Sequence, residues 1–262
     1  MLFEYIKNFL LDLAFPKRCL SCGIEGSFVC YDCLGKINFL QNQQCPKCRR
    51  PNMTGEFCGP RCKDGFYFDR MIVCCEYRKN SLIQKLISTF KYRFVSGCDV
   101  FLAEILRTQF FYLSQFTEFL NQSVFIPVPI HKKRLLYRGF NQSRVLSEKL
   151  LKILKNDPEF ENHFENLEFS DCLFRRQYSH EQATLKRNER LNNLVSTISL
   201  DEKFSEKIKN KSCIVIDDVA TTCSTLNECS KILKLGGARY VCGLVLARGI
   251  GTFADSDWRK NV

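Results

Sequence analysis

The stretch "IVIDDVATTCST", residues Ile214 to Thr225, decides the fold of this chain. An apolar run ends at Asp217 and Asp218, and five of the next seven residues carry a hydroxyl or a thiol. The apolar run predicts a buried strand, and "STLNECSKILKL" after it predicts a helix. In parallel α/β folds, ligands bind beyond the carboxyl ends of the strands. We therefore expect the two aspartates and the following turn to line a binding site.

Strands and helices alternate along most of the chain. "FDRMIVCCEY", "SVFIPVPI", "SCIVIDD" and "RYVCGLVLA" read as strands. Helices are predicted for "SLIQKLISTFKYRF" with Ser81 as its cap, for "DVFLAEILRTQFFYLSQF", for "SRVLSEKLLKILK" and for "STLNECSKILKLGG", which Gly236 and Gly237 end. The basic segment after "IPVPI" is predicted to be a loop. This alternation predicts an α/β domain with a parallel sheet flanked by helices.

The chemistry of the turn at Thr221–Thr225 suits a phosphorylated sugar. Backbone N–H groups at a helix start bind anions, and the turn's hydroxyls add donors. Adjacent carboxylates instead accept hydrogen bonds from sugar hydroxyls or help to hold Mg²⁺. Two alternatives stay open, an acidic pocket of the receiver type and a strand end with solvated aspartates. A Walker P-loop is excluded, because the chain contains no G-x-x-x-x-G-K-[ST].

Composition narrows the class of protein. The chain has 262 residues and a net charge of +11, which favours a polyanionic partner such as nucleic acid or a phosphorylated small molecule. No apolar stretch reaches the eighteen residues typical of a membrane span. The start, "MLFEYIKNFLLDLAF", carries charges within its apolar run and predicts an amphipathic helix rather than a signal peptide. We expect a cytoplasmic protein.

Half of the sixteen cysteines lie in closely spaced pairs near the N-terminus. Three pairs are C-x-x-C and one is C-x-x-x-C, the spacing at which two thiolates from one turn reach the same zinc ion. Four such pairs suffice for one or two structural zinc ions. The simplest pairing joins the first two pairs and the last two; a crossed pairing and the loss of one metal are alternatives. The predicted ligands are Cys19, Cys22, Cys30, Cys33, Cys45, Cys48, Cys58 and Cys62.

The cysteine pairs also suggest a domain boundary. They end before Gly65, where the alternating strands and helices begin. We predict a zinc-binding module over residues 1–66, serving as an appendage for docking or nucleic-acid contact, and an α/β domain over residues 67–262. Cys74, Cys75, Cys213 and Cys242 fall in or beside apolar runs and are expected to be small buried residues.

The motifs together resemble a known family. "IVIDDVATTCST" is similar to the phosphoribosyl-diphosphate motif of type I phosphoribosyltransferases, and the chain more closely resembles the competence-protein ComF family. "FKYRF", "FIPVPIHKKRLLYRGFNQS" and "QATLKRNERLNN", with the cysteine-rich start, support this. The resemblance implies a zinc module on a phosphoribosyltransferase-like domain that handles single-stranded DNA during natural transformation.

The resemblance also implies roles for particular residues. Asp217 and Asp218 would meet ribose hydroxyls, and the segment after "IPVPI" would face the diphosphate of Mg²⁺-bound phosphoribosyl diphosphate. "QATLKRNERLNN" resembles a loop that closes over substrate. The phosphate-binding stretch would comprise Ala220, Thr221, Thr222, Cys223, Ser224 and Thr225.

Cys223 departs from the family pattern, in which glycine is usual. Glycine there allows a positive φ and a close approach to phosphate, whereas cysteine costs about 1 kcal/mol or more in that conformation. A tolerated substitution is one interpretation. A reactive thiol at a helix N-terminus is the other.

A second candidate binding region follows "IPVPI". Cations interleaved with Tyr137 and Phe140 suit single-stranded nucleic acid, and they would equally suit a diphosphate. His131 is a candidate for lining an anion pocket. The predicted contacts in this region are Lys132, Lys133, Arg134 and Arg138.

Three hypotheses follow. The first is a DNA-uptake protein that handles single-stranded DNA and binds phosphoribosyl diphosphate, with a competence helicase or channel protein as a further candidate partner. The second is an active phosphoribosyltransferase with an unidentified acceptor, for which no general base is evident in the sequence. The third is a structural adaptor whose pocket no longer binds ligand.

Overall fold

A computed structural model describes residues 17–93, 97–114, 123–158, 166–176 and 197–249. Its strands, in chain order, are β1 (Gln43–Gln44), β2 (Pro51–Asn52), β3 (Arg70–Tyr77), β4 (Ser123–Pro127), β5 (Glu168–Phe169), β6 (Leu173–Arg175), β7 (Ile198–Leu200), β8 (Ser212–Ala220) and β9 (Tyr240–Gly249). Five of them form one sheet in the order β3-β9-β8-β4-β5, and every neighbouring pair is parallel.

Helices cover both faces of this sheet. They are α1 (Tyr31–Leu34), α2 (Pro60–Lys63), α3 (Leu82–Arg93), α4 (Cys98–Ser114), α5 (Lys132–Arg138), α6 (Gln142–Asn156), α7 (Ser205–Ile208) and α8 (Ser224–Leu235), with a 3₁₀ turn at Glu202–Phe204. The predicted α/β class, with a parallel sheet flanked by helices and an N-terminal zinc-ribbon-like module, is confirmed.

The alternation within β8 explains why its sequence is almost wholly apolar. Ile214 and Ile216 pack into one core cluster, which includes side chains of α3, α4 and α6. Cys213 and Val215 point to the opposite cluster, which includes α8. A strand buried on both faces reads as a continuous apolar run, as is usual in parallel sheets. Cys74, Cys75, Cys213 and Cys242 are buried, as predicted.

Local signals set the helix ends as expected. The Ser81 hydroxyl accepts a hydrogen bond from the N–H of Gln84 (3.3 Å) at the start of α3. The Asn141 side chain accepts one from the N–H of Ser143 (3.0 Å) at the start of α6. Helix α8 ends at Gly236, and Gly237 has a φ of 89°. These caps satisfy backbone groups that a helix end leaves unpaired.

The loop predicted after "IPVPI" is wrong, because Lys132–Arg138 forms helix α5. His131 caps it by accepting a hydrogen bond from the N–H of Lys133 (3.2 Å). Gly139 ends it in the left-handed conformation, with its N–H donating to Leu135 O (2.7 Å). None of its residues is buried. The helix therefore lacks the apolar stripe by which a sequence pattern indicates a helix.

The cysteine-rich module covers an edge of the main sheet. Strand β3 lies at that edge. The Gln43 side chain donates to Val73 O (3.1 Å) and accepts from Val73 N–H (2.9 Å), as a neighbouring strand would. The Met71 N–H donates to Gly55 O (3.0 Å), and Phe39 forms a bridge with Cys75. Covering an edge in this way satisfies its free backbone groups.

Some sequence predictions fall outside the described residues. They are the N-terminal amphipathic helix and the segment "QATLKRNERLNN". The boundary at residue 66 stays a prediction. Within the described ranges, no helix has the length and apolar character to cross a membrane.

Candidate functional site

A pocket of about 660 Å³ opens at the carboxyl edge of the sheet. It lies between the ends of β4 and β8, helix α5 and the first turn of α8. Its lining combines two carboxylates, two hydroxyls and five cationic side chains. The residues that line it are Lys91, Val128, Pro129, Ile130, His131, Lys133, Arg134, Arg138, Gln142, Arg175, Asp217, Asp218, Val219, Thr221 and Thr225.

The two aspartates sit in different surroundings. Asp218 is 4% exposed, and its Oδ1 accepts a hydrogen bond from Lys91 Nζ (2.8 Å). Its Oδ2 is buried and has no hydrogen-bond partner among the described residues. Asp217 is half-buried, and its Oδ1 accepts from the Ser143 hydroxyl (3.0 Å) and from Asp218 N–H (2.9 Å). A buried carboxylate oxygen without a donor requires one, and a ligand hydroxyl would supply it.

The carboxyl of Asp217 is a weaker acid than an ordinary aspartate. Burial, reinforced by the neighbouring charge of Asp218, raises its pKa from 3.8 to about 7. Hydrogen bonds from Asp218 N–H and Ser143 and the charge of Lys91 act in the opposite direction but are weaker. At neutral pH this carboxyl is therefore divided between its protonated and ionised forms.

The hydroxyl-rich turn contributes fewer residues to the pocket than predicted. Thr221 and Thr225 line it, beside the N-terminus of α8. Ala220 is buried at the end of β8. Thr222 and Ser224 are exposed outside the lining, with their hydroxyls 3.0 Å apart. Two threonine hydroxyls and the start of α8 thus form the corner of the pocket that is best suited to an anion.

Cys223 adopts the conformation that explains why glycine is usual at this position. Its φ is 61° and its ψ is 10°, in the left-handed region, immediately before α8. Its side chain is buried, with Sγ 3.6 Å from Met71 Sδ. Burial raises the pKa of this thiol. The reactive-thiol interpretation is therefore wrong, because reactive cysteines are accessible and have a lowered pKa.

Helix α5 supplies most of the cations predicted from the sequence. Lys133, Arg134 and Arg138 line the pocket, and His131 lies beside them as its candidate role required. Lys132 is exposed on the same helix, outside the lining. Phe140, which was predicted to be a nucleic-acid contact, is instead partly buried and packs against Phe90 of the core, with ring centroids 5.3 Å apart.

Two residues that hydrogen-bond the aspartates were missed by sequence reasoning. They are Lys91, from α3, and Ser143, from α6, which lies outside the lining. Arg175, from β6, also lines the pocket. Arg175 is held by hydrogen bonds from its Nε to Pro129 O (3.0 Å) and from its Nη1 to the Thr197 hydroxyl (3.1 Å). For Lys91 a signal existed, because it lies in "FKYRF", one of the stretches that carry the family resemblance. Ser143 lies at the start of a segment that was predicted as a helix.

The eight paired cysteines form two clusters with the simple, uncrossed pairing. Within each cluster the sulfurs all lie within 4.8 Å of one another. The Sγ atoms of Cys22 and Cys30 are 3.5 Å apart, and so are those of Cys48 and Cys58. Tetrahedral zinc with bonds of about 2.3 Å requires sulfurs about 3.8 Å apart, so both clusters fit the ion. The clusters are Cys19, Cys22, Cys30 and Cys33, and Cys45, Cys48, Cys58 and Cys62.

Backbone N–H groups favour one thiolate in each cluster, Cys19 in the first and Cys45 in the second, whereas burial and the neighbouring sulfurs raise the pKa of Cys22, Cys58 and Cys62. Burial opposes ionisation of Cys45, but N–H groups of Cys48, Cys58 and Lys47 outweigh it and lower the pKa to about 7. At Cys19 burial is likewise outweighed by backbone donors, and the pKa falls to about 6. Thiolate is the form that binds zinc, and four thiolates leave no position open on the ion. Both sites are thus suited to structural zinc.

Comparison with known proteins agrees with this architecture. Residues 10–63 match the double zinc ribbon domain. Competence protein F of Haemophilus influenzae is 27% identical over 85% of this chain and 97% of its own length. Competence protein ComFC of Bacillus subtilis is 26% identical over 84% of each chain, and ComFC of Streptococcus pneumoniae is 24% identical over 86% of this chain and 89% of its own.

A solved structure, that of the allosteric regulatory enzyme of purine biosynthesis, overlaps partially. It aligns with 47% of this chain and 21% of its own, at 13% identity and a TM-score of 0.30. That overlap is too small to support a conclusion about function.

The parallel sheet and the two cysteine clusters together define an α/β protein with an N-terminal double zinc ribbon. The three relatives match nearly the whole chain, ribbon and α/β domain together. The chain is therefore similar to competence proteins F and ComFC along most of its length.

Proposed function

We propose that this protein serves DNA uptake in the cytoplasm by handling single-stranded DNA, and that its pocket binds phosphoribosyl diphosphate with Mg²⁺. The observation that carries the ligand assignment is the unpartnered, buried Oδ2 of Asp218 in a pocket otherwise rich in cations. A purely anionic ligand would leave that oxygen without a donor. A phosphorylated ribose brings both the anion and the hydroxyls.

Each part of that ligand has a counterpart in the lining. The 5-phosphate fits the corner formed by Thr221, Thr225 and the start of α8. The ribose hydroxyls fit Asp217 and Asp218. Lys133, Arg134 and Arg175 carry the charge that a diphosphate needs, and Mg²⁺ supplies further neutralisation when it arrives with the ligand.

Calorimetric titration of phosphoribosyl diphosphate with Mg²⁺ tests the pocket. We expect Thr221→Val to weaken binding by about ten- to a hundredfold, since it removes a donor to a charged group worth about 1.5–3 kcal/mol. Thr222→Val is the matched control, because its hydroxyl lies outside the lining. Asp217→Ala with Asp218→Ala should abolish binding. Equal affinity for wild type and the double variant would refute the assignment.

The proposal for DNA rests on charge and on the relatives. The chain carries a net charge of +11, and α5 displays Lys132, Lys133 and Arg134 at the surface. The relatives are named competence proteins. Cations on one exposed helix next to a phosphate-binding pocket suit the backbone of a nucleic acid.

Salt-dependent binding of a single-stranded oligonucleotide tests this role. Lys132→Gln with Lys133→Gln should reduce the slope of log affinity against log salt by about 1 per lost phosphate contact. Lys203→Gln with Lys207→Gln is the matched control. These exposed lysines come before β8, near its amino end, whereas α5 lies at the carboxyl end of the sheet. An unchanged slope in the first variant would remove α5 from the interface.

A transferase reaction is the second candidate, and the raised pKa of Asp217 favours it. A carboxyl with a pKa of about 7 is able to accept a proton at neutral pH, which supplies the base that the sequence did not reveal. Its test is diphosphate release from bound phosphoribosyl diphosphate when bases or amines are added. Binding without release would leave the pocket as a ligand site only.

A further inference from the structure

Two exposed tyrosines and an arginine form a stack beside the pocket. The rings of Tyr92, from α3, and Tyr137, from α5, meet edge to face with centroids 6.5 Å apart. The Arg138 guanidinium carbon lies 5.2 Å from the Tyr92 ring centroid. Arg138 Nη1 also donates to Gln142 Oε1 (3.0 Å), which fixes the guanidinium in place. The three side chains are thus ordered without being part of the core.

The rings remain open to solvent. Tyr92 is 60% exposed and Tyr137 is 79% exposed. Phe140, three residues beyond Tyr137, is instead partly buried and packs against the core. Of the two aromatic residues in this segment, Phe140 therefore supports the fold, whereas Tyr137 is exposed to solvent. Large exposed rings arranged in contact indicate a surface for a partner with flat, stackable groups.

The position of the stack selects the partner. Arg138 lies in both the stack and the pocket lining, so the two surfaces are continuous. Lys132 and Lys133, on the same helix as Tyr137, provide charge for phosphates. Cations that follow a backbone, combined with rings that receive bases, are the features of single-strand binding. A duplex would not fit as well, because its base faces are already stacked.

We propose that Tyr92 and Tyr137, bridged by Arg138, are the platform on which bases of single-stranded DNA stack. This inference rests on the proposed DNA-handling function and adds a base-contacting subsite to it. The phosphates of the same strand run along α5, and bases turn toward the two rings. Since every base has a π-face, the platform recognises single strands without sequence preference.

The test compares an ordinary oligonucleotide with an abasic one of equal length. Both carry the same phosphates, so their affinity ratio isolates the contribution of the bases. For the full chain we expect the base-bearing strand to bind about ten- to a hundredfold more tightly. Tyr92→Leu with Tyr137→Leu keeps apolar bulk but removes the π-faces, and should bring the ratio close to one. Its salt slope should stay that of the wild type.

Controls separate stacking from folding. Tyr31→Leu changes a tyrosine that is 89% exposed on the zinc module, far along the chain from the stack, and should leave the ratio unchanged. Tyr92→Trp retains an aromatic face and should keep the preference, with the new indole fluorescence quenched by the base-bearing strand alone. Phosphoribosyl-diphosphate affinity of the leucine variant reports whether the pocket is intact.

The outcomes distinguish this inference from the proposed function. If the wild type binds both strands equally and with a normal salt slope, DNA handling stands and the platform is refuted. A leucine variant that retains the base preference refutes it equally. If the wild type binds neither strand, the DNA-handling function fails and the platform fails with it.

Discussion

The two zinc ribbons have the same ligands but different neighbours. The first ribbon, residues 17–33, packs on helix α3, where Lys85 Nζ donates to Leu20 O (3.2 Å). The second ribbon, residues 43–62, pairs with the edge strand β3 through Gln43 and Gly55. Sulfur ligation alone therefore does not set the importance of a zinc site. We infer that a zinc ion matters more to the fold when its ribbon hydrogen-bonds to the backbone of the main sheet.

The second ribbon also contacts residues beside the pocket corner that contains Thr221. Arg49 Nη2 donates to Gly249 O (2.8 Å), and Arg248, at the end of β9, donates in return to Pro46 O. Met71 bonds to Gly55 O and contacts the Cys223 thiol. Two paths thus join the second ribbon to the turn before α8, while no residue of 17–66 lines the pocket.

The largest effect should follow loss of the second zinc. Cys58→Ser with Cys62→Ser removes a metal whose binding is worth about 10 kcal/mol or more, comparable with the whole stability of a domain. It also frees the edge of β3, so we expect the α/β domain to unfold or aggregate. Zinc content by mass spectrometry and circular dichroism during urea unfolding measure this.

Cys22→Ser with Cys30→Ser is the matched control, because these cysteines have the same exposure classes in the first ribbon. We expect one zinc to be lost while the sheet and the pocket persist. Equal collapse of the two variants would show that the ribbons are equivalent and would break the comparison.

A second prediction targets the contact between ribbon and sheet edge. Gly55 has a φ of 72°, and a Cβ there would collide with the carbonyl oxygen of Met71. Gly55→Ala should lower the free energy of unfolding by about 2–4 kcal/mol, from strain and forced separation of the strands. Chemical denaturation measures it.

Gly65→Ala is a close control for that substitution. Gly65 has a φ of 82°, yet nothing lies within 4 Å of its added Cβ. Only the conformational cost of about 1 kcal/mol should remain. If the two variants lose equal stability, contact with β3 contributes nothing beyond the backbone conformation.

The sequence predicted the features that depend on local pattern. Cysteine spacing identified both clusters, and apolar runs identified the strands of the sheet, including the aspartates at the end of β8. Helix α5 was missed because its sequence has no apolar face, and its caps at His131 and Gly139 are short-range signals of modest strength. The role of Gln43 was not predicted. Its side chain hydrogen-bonds the backbone of β3 as a strand would, and a single side chain with this role leaves no recognisable sequence pattern.

The two missed residues have a common cause. Lys91 and Ser143 lie far apart in the chain and reach the two aspartates only because their helices pack against the sheet. A sequence pattern shows which residues are polar, but pairing of Lys91 with Asp218 requires the packing of α3 against the sheet. The stack of Tyr92 on Arg138 was missed for the same reason.

A third prediction concerns the pH dependence of stability. It tests a residue of the pocket, Asp217, that neither ribbon contacts, so its effect should be independent of both zinc sites. Its pKa is raised in the folded protein from 3.8 to about 7, so the folded state binds the proton more tightly than the unfolded state. The stabilisation is complete below pH 4 and is lost as pH rises to about 7. Relative to Asp217→Asn, the wild type should lose about 3 kcal/mol between pH 4 and pH 8.

Denaturation at several pH values without added Mg²⁺ measures that difference. Asp201→Asn is a useful control, because a hydrogen bond from Lys203 lowers the pKa of this carboxyl instead of raising it. A constant difference between wild type and Asp217→Asn across this range would contradict the raised pKa.

The smallest effect tests how the second ribbon reaches the pocket. Arg49→Ala deprives Gly249 O of its donor, which costs about 1–2 kcal/mol in unfolding free energy. Because Gly249 packs close to Thr221, the phosphate corner should loosen, and phosphoribosyl-diphosphate affinity should fall about fivefold. Arg18→Ala, in the first ribbon, breaks only an exposed pair with Glu25 and should change stability by less than about 1 kcal/mol and affinity not at all.

Urea unfolding and calorimetry on both variants decide between two arrangements. An affinity loss confined to Arg49→Ala means that the second ribbon sets the geometry of the ligand site from outside its lining, whereas a loss of stability without a loss of affinity confines that ribbon to support of the sheet.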